Sequence, residues 1–211
     1  MVEDFIAKSY GVILGGLAEG GFETLEDPKA PQEQKQRVLK LLDFMSPLVF
    51  ELVEEQIPTL SICFGHQLIL KLLGAKLTTD MQYRETGIYQ IHLTDEAKVD
   101  PFFKDMPDTF WAVSAHKTSV IDLPSDTKVP VAHLAWSQRT PVHAVRVGRA
   151  FYGLQFHPEL SREEFLYRLQ FYPSYIKANP DVVEKLPDVH VEAPRVLKNW
   201  LKYIVKYPDF A

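Results

Sequence analysis

The chain has 211 residues, 46% of them hydrophobic, and a formal net charge of -5 at pH 7, which suffices for one sizeable core. Its acidic balance and lack of a long basic cluster argue against nucleic-acid binding, and its apolar runs are too short to cross a membrane. An acidic start at residues 1–4 and a single cysteine predict a cytoplasmic protein without a signal peptide, disulfide bond, metal site or other cofactor.

The hydrophobic pattern alternates between helical and strand-like segments. The predicted elements are, in chain order, a strand at 10–14, a helix at 31–55, a strand at 59–62, a helix at 64–73, strands at 88–93, 109–113, 131–136, 143–147 and 151–156, and helices at 161–171 and 194–207. Pro47 should kink the first helix or start a new one, and Gly74 should end the next. Ser161 and Glu164 form a capping-box pattern.

Cys63 ends an apolar run and precedes a helical pattern. Small residues two positions before and after it, Ser61 and Gly65, are typical of a nucleophile elbow, the sharp strand–turn–helix connection that presents a nucleophile at the end of a sheet. The N-terminus of the following helix favours a thiolate over a thiol. An unpaired cysteine is also typical of buried core packing, so this segment alone leaves both interpretations open.

A second segment ends in His157-Pro158-Glu159. A cysteine nucleophile needs a base, and the base needs a group that orients it. Residues two apart on a strand point to the same face, so His157 and Glu159 should lie side by side. A strand-end histidine beside a surface glutamate is the alternative, but the elbow at Cys63 favours a triad. The histidines expected to play no chemical part are His66, His92, His133, His143 and His190.

With these segments the chain resembles the class I (triad) glutamine amidotransferases, most closely stand-alone members related to the amidotransferase domain of GMP synthase. The matching segments are residues 12–16, 61–67, 84–87, 114–116 and 153–159, in family order. The resemblance implies a three-layer, flavodoxin-like α/β fold with an open, mostly parallel sheet and a nucleophile elbow. It also implies a single domain over 1–211, in which 172–211 form a C-terminal extension and closing helix.

The resemblance further implies a reaction. Cys63 would attack the side-chain amide of glutamine, and His157, oriented by Glu159, would pass a proton to the leaving ammonia; water would then release glutamate from the γ-glutamyl thioester. The backbone N–H groups of Gly16 and Phe64 would stabilise the oxyanion. The residues implied for substrate binding are Gln67, Ala115, His116 and Lys117.

The chain departs from the family in three places. Relatives have two strands and a helix before the segment at 12–16, which the dozen residues here cannot provide, so we expect these N-terminal strands to be absent and an apolar sheet edge to be exposed. Leu17 and the run at 18–21 replace a rigid turn after Gly16. Lys117 stands where relatives commonly have glycine.

Three functions therefore remain open. The first is a glutaminase that releases ammonia, the second a γ-glutamyl peptide hydrolase of the same fold, and the third an inactive binding or regulatory subunit or gene fragment. The expected ligand is glutamine or another γ-glutamyl small molecule. Because the sequence lacks the Gly-x-x-x-x-Gly-Lys-Ser/Thr loop, a separate synthetase partner would use the ammonia; a homo-oligomer is a further expectation.

Overall fold

The computed structural model describes residues 9–17, 20–172, 176 and 186–207. Its strands are β1 (Val12–Leu14), β2 (Thr59–Ile62), β3 (Lys76–Thr78), β4 (Glu85–Leu93), β5 (Thr109–His116), β6 (Ser119–Asp122), β7 (Val131–Trp136), β8 (Ala144–Val147) and β9 (Phe151–Leu154). Its helices are α1 (Phe22–Glu26), α2 (Gln32–Glu54), α3 (Phe64–Leu72), α4 (Asp95–Lys98), α5 (Arg162–Leu169) and α6 (Arg195–Asn199), with 3₁₀ turns at Met81–Tyr83 and Pro101–Phe103 and a π-helical turn at Trp200–Val205. The predictions for residues 1–4 and 18–19, and for most of the extension at 173–185, lie outside these residues.

A mixed seven-stranded sheet forms the centre of the fold, in the order β1-β2-β9-β8-β7-β4-β5. The pairs β1–β2 and β2–β9 are parallel, and the pairs from β9 to β5 are antiparallel. Five strands consequently run in one direction and two, β8 and β4, in the other. The carboxyl ends of β1, β2 and β9 meet at one edge, where ligands bind in open α/β sheets.

Helices cover both faces of this sheet, which confirms the predicted three-layer α/β class. Alternation along β9 sends Phe151 to one apolar cluster and Tyr152 and Leu154 to the other, as the two-residue period of a strand requires. The first cluster also receives α2 and α3, while the second receives α5 and the C-terminal helix. Each fully buried aromatic or aliphatic side chain stabilises this packing by about 1.5–3 kcal/mol.

Most of the predicted elements are present. Gly74 ends α3 with φ of +93°, and the N–H of Ala75 donates to the Leu70 carbonyl in a Schellman arrangement. The capping box of Ser161 and Glu164 is present at the start of α5. The last predicted helix is present as α6 and the π-helical turn, whose apolar side chains pack on the core.

Pro47 does not start a new helix. It lies inside α2, which runs unbroken from Gln32 to Glu54. Proline removes one backbone donor from a helix interior, but the buried side chains Val49, Leu52 and Val53 hold the last turns against the core. Packing therefore outweighs the local preference of proline in this helix.

Two further features concern the sheet edge and the surface. The small antiparallel sheet of β3 and β6 is not predicted from the sequence. Among the described strands β1 pairs with β2 alone, and its Ile13 is 57% exposed. In the described part of the chain, no helix has the length and apolarity to cross a bilayer.

Candidate active site

Cys63 occupies a strained turn between β2 and α3. Its backbone has φ of +52° and ψ of -100°, a conformation that side chains other than glycine rarely adopt. Its N–H donates to the carbonyl of Leu154 over 2.7 Å, which ties the turn to β9. This geometry is the predicted elbow, and it places the thiol at the carboxyl edge of the parallel strands.

The glycine two residues after the cysteine is required by close packing. A Cβ added to Gly65 would lie 2.9 Å from the Leu14 carbonyl oxygen and 3.1 Å from the Cβ of Ser61. The Leu14 carbonyl belongs to the backbone of β1, so it cannot move away from such a Cβ without loosening the pairing of β1 with β2. The sequence prediction that small residues flank the nucleophile thus has its cause in contacts between α3 and β1.

Gly16 follows β1 and lies directly against the cysteine. A Cβ at this position would be 3.2 Å from the Cys63 Cβ, 3.8 Å from its Sγ and 3.4 Å from the His157 Cε1. Only glycine therefore lets the backbone approach the sulfur so closely. Phe64 is the first residue of α3, and the first N–H groups of a helix have no intrahelical partner. Both predicted oxyanion donors thus lie next to the thiol.

His157 and Glu159 lie side by side, although not for the predicted reason. The strand β9 ends at Leu154, and His157 joins the sheet only through an isolated bridge to Val113. A turn across Pro158, which cannot donate to a strand ladder, then brings Glu159 back. The distance between His157 Nδ1 and Glu159 Oε1 is 2.7 Å. The two side chains therefore meet as predicted, but the turn brings them together and strand alternation does not.

The charges of this pair favour a protonated imidazole. Burial lowers the pKa of His157, but hydrogen bonds to Cys63 and Glu159 and the charges of both groups outweigh it and raise the pKa to about 10. Burial raises the pKa of Glu159, yet its hydrogen bond to His157 lowers the net value below the usual range. With Nδ1 facing Glu159, Nε2 is the ring atom left for the sulfur, which suits a thiolate–imidazolium pair.

The predicted substrate-binding residues meet in a narrow pocket of about 20 Å³ beside Cys63. Its lining residues are Leu17, Gly21, Glu23, Cys63, Phe64, Gln67, Ala115, His116, Lys117 and Thr118. Leu17, Glu23 and Lys117 are partly exposed. Glu23 was not predicted from the sequence, because it lies in a short helix that no motif marks.

Gln67 already uses its amide nitrogen within the protein. Its Nε2 donates to the Thr118 carbonyl over 2.9 Å and to Gln155 Oε1 over 3.2 Å. The side chain is buried, with 4% of its surface exposed. Gln67 therefore fixes the loop after β5 against α3.

A buried polar cluster contacts the loop after β5. Glu85 Oε2 lies 2.8 Å from His143 Nε2 and 3.3 Å from His116 Nε2, and Ser137 Oγ donates to Glu85 Oε1 over 2.6 Å. Burial raises the pKa of Glu85, but the two histidines outweigh it and hold the carboxyl pKa well below its usual range. Since His116 Nδ1 is 3.1 Å from the Thr118 carbonyl, the cluster positions the pocket loop.

In the described part of the chain, the group of side chains that could hold a metal ion is Glu85, His116 and His143. Two donors bound tetrahedrally at about 2.0–2.1 Å from zinc are separated by roughly 3.3 Å. The contact of 2.8 Å between Glu85 and His143 is closer and is the distance of a charge-assisted hydrogen bond. The Glu85–His143 contact is therefore a hydrogen bond in this structure, while His143 Nδ1 is buried without a partner among the described residues. Glu85 lies in a segment that carried the family resemblance, whereas nothing in the sequence marked His143 as its partner.

The chain belongs to the class I glutamine amidotransferase family, whose pattern it matches over residues 28–171. Within that range lie the elbow cysteine, the histidine and the glutamate described above. The predicted resemblance is thereby confirmed.

Several relatives are GMP synthases. The chain is 33% identical over 118 residues to the glutamine-hydrolysing GMP synthase of Borreliella burgdorferi strain N40, covering 56% of this chain and 22% of that protein. It is 35% identical over 112 residues to the glutamine-hydrolysing GMP synthase subunit of Pyrococcus abyssi, covering 53% of this chain and 55% of that one. The matched part thus spans less than two thirds of these relatives.

Solved structures share the fold. A glutamine amidotransferase from Thermotoga maritima has a TM-score of 0.65 and 17% identity, over 94% of this chain and 99% of the other. One from Methylobacillus flagellatus has a TM-score of 0.60 and 17% identity, over 95% and 76%. These likenesses support the α/β architecture.

Proposed function

We propose that this chain hydrolyses the γ-amide of glutamine through a thioester on Cys63. The observation that carries the proposal is the contact of 2.7 Å between His157 Nδ1 and Glu159 Oε1, with the strained elbow cysteine on the other side of the ring. Membership of the class I amidotransferase family and the names of the GMP synthase relatives point to the same substrate.

The proposed first half-reaction begins from the thiolate–imidazolium pair. The Cys63 sulfur attacks the amide carbon, and the oxygen that becomes negative accepts hydrogen bonds from the N–H groups of Gly16 and Phe64. One such donor typically contributes about 10²–10³ in rate. The tetrahedral intermediate collapses as its C–N bond breaks, and His157 gives its proton to the departing ammonia.

The second half-reaction uses the same groups in reverse. A water molecule attacks the thioester carbon while His157, now neutral, takes its proton. The C–S bond breaks, glutamate leaves, and the proton on His157 restores the starting pair. Glu159 remains charged throughout and fixes the ring orientation, which is the role of the third member of such triads.

We infer that a separate synthetase chain takes up the ammonia. The relative from Pyrococcus abyssi is named as one subunit of GMP synthase, and the given sequence contains no Gly-x-x-x-x-Gly-Lys-Ser/Thr loop for binding ATP. Size-exclusion chromatography combined with an activity assay tests this inference. A strict monomer that by itself incorporates the ammonia into a product would contradict it.

Hydrolysis of γ-glutamyl peptides is a second candidate, favoured by one observation. A cavity of about 210 Å³ adjoins Gly16, His157 and Glu159. Apolar side chains line much of it, including Leu160 and Phe165, with Arg168 at its wall. Ammonia needs no such space, whereas an apolar amino acid leaving group would fill it and offer its carboxylate to the arginine.

Alkylation of Cys63 tests the main proposal. The protein is incubated with a glutamine-mimicking chloroketone, with and without excess glutamine, and adducts are located by mass spectrometry. We expect one adduct on Cys63 that glutamine suppresses, and none in Cys63→Ala. Ammonia release from glutamine and leucine release from γ-glutamyl-leucine are measured in parallel. Equal ammonia release by the wild type and Cys63→Ala would overturn the mechanism, and faster cleavage of the peptide would favour the second candidate.

A further inference from the structure

The pocket beside Cys63 carries one acidic side chain that none of the family motifs contains. Glu23 lies in α1, between the strand that ends at Leu14 and the long helix α2, and it is 95 residues away from Thr118, its neighbour across the pocket. Apart from the buried His116, the charged groups among the described lining residues are Glu23 and Lys117. The described lining of the pocket thus holds one negative and one positive side chain beside the nucleophile.

The position of Glu23 relative to the nucleophile is fixed by packing. The ring of Phe22 stacks on that of Phe64 with centroids 5.4 Å apart and planes at 26°, and both side chains are buried. Phe64 directly follows Cys63 in the chain. An offset aromatic pair of this kind is stabilising beyond its buried area, so α1 is anchored to the elbow itself and Glu23 is held at a set distance from the thiol.

The carboxylate of Glu23 keeps unused hydrogen-bonding capacity. Its Oε1 accepts from the Gly21 N–H over 3.3 Å, and its Oε2 accepts from Thr118 Oγ1 over 3.5 Å. Both contacts are long, and an ionised carboxylate has about four acceptor positions. A half-buried carboxylate with weak partners favours a cationic ligand, since charge-assisted hydrogen bonds are shorter and about twice as strong as neutral ones.

We propose that Glu23 determines substrate specificity by binding the α-ammonium group of the γ-glutamyl substrate. The inference rests on the proposed function in one respect, because it takes Cys63 as the group that reacts with the γ-carbonyl. It predicts that the pocket selects free amino acids over analogues that lack the α-amino group or carry it acylated. Such analogues have no cation for the carboxylate of Glu23, which would then be desolvated without compensation.

The test compares two reagents on four forms of the protein. The reagents are the chloroketone analogue of glutamine and its counterpart without the α-amino group, and the readout is the rate of Cys63 labelling by mass spectrometry. The forms are the wild type, Glu23→Gln, Glu23→Asp and Glu26→Gln. Glu26 lies on the same helix, is exposed, and contacts Thr79 outside the pocket, so Glu26→Gln is the matched control.

We expect the wild type and Glu26→Gln to react about 10- to 100-fold faster with the amino reagent than with the desamino reagent, as one hydrogen-bonded charge pair provides. In Glu23→Gln the ratio should fall to near unity through loss of the amino-reagent rate alone, and Glu23→Asp should retain part of it. A Glu23→Gln variant that slows both reagents equally would assign Glu23 a structural role only and overturn the inference. An unchanged ratio would do the same.

The outcomes for Glu23 and for hydrolysis are distinguishable. A wild type that prefers the amino reagent but releases no ammonia from glutamine would support the specificity role and overturn the proposed hydrolysis. A wild type that hydrolyses glutamine but labels equally with both reagents would overturn the specificity role alone. No labelling of the folded protein by either reagent would overturn both. A urea unfolding curve for each variant shows that the compared forms are folded.

Discussion

Replacing the strained cysteine by glycine should make the protein more stable than replacing it by alanine. Both substitutions remove the thiol, but only glycine adopts φ of +52° and ψ of -100° without a steric penalty. Such a conformation costs a non-glycine residue about 1–3 kcal/mol, and glycine loses about 0.5–1 kcal/mol through the greater freedom of the unfolded chain. The difference leaves Cys63→Gly more stable than Cys63→Ala by about 1 kcal/mol.

Thermal unfolding measures this difference directly. For a chain of this size, about 1 kcal/mol corresponds to a rise of about 2–4 °C in Tm. The control is Ser61, two residues earlier in the buried strand β2, where Ser61→Gly and Ser61→Ala both lose the hydroxyl that donates to the Tyr152 carbonyl. Glycine should be the less stable variant at Ser61. If glycine is also less stable than alanine at Cys63, the elbow stores no strain and the reasoning is refuted.

Three further predictions use the same structure. Gly65→Ala should lower stability by about 1–3 kcal/mol in urea unfolding, because its Cβ would overlap backbone; Gly15→Ala, which meets nothing within 4 Å, should be neutral, and equal effects would contradict the packing argument. Glu159→Ala should lower kcat for glutamine by about 10²- to 10³-fold without changing the unfolding curve, and an unchanged kcat would exclude it from the triad. Burial lowers the pKa of His66 from 6.5 to about 3. Between these values the unfolded chain binds a proton that the folded chain does not, so the free energy of unfolding falls as the pH is lowered. The loss should be about 2 kcal/mol between about pH 7 and pH 5. His66→Gln should flatten this loss and the exposed His190→Gln should not, as urea titrations at several pH values would show; parallel curves for wild type and His66→Gln would count against it.

The elbow turn at Cys63 could be predicted because its signal is local. A nucleophile elbow needs small residues within two positions of Cys63, and the contacts of Gly65 with Leu14 and Ser61 explain that requirement. The pairing of His157 with Glu159 was also within reach, since the two residues are separated by Pro158 alone. The predicted reason was wrong, because β9 ends at Leu154 and the two residues lie at a turn across Pro158 instead of along a strand.

The remaining site residues depend on long-range contacts that no local pattern encodes. Glu85 and His143 are 58 residues apart and meet only once the antiparallel half of the sheet has formed. Glu23 reaches the pocket because Phe22 stacks on Phe64, a contact between two helices that neither segment predicts. The course of α2 through Pro47 is a tertiary effect of the same kind, in which packing overrides a local preference.

The narrow attachment of β1 gives the site a separate mode of failure. This strand of three residues pairs with β2 alone among the described strands, yet it positions Gly16 against the sulfur. Segments with few buried contacts open at a lower free-energy cost than the core. Fraying of β1 would withdraw the proposed oxyanion donor while the rest of the sheet stays folded, so catalysis should fade at lower urea concentrations than the tertiary structure. The arrangement of Gly16 against Cys63 should therefore be lost in a separate, earlier step than the global unfolding of the sheet.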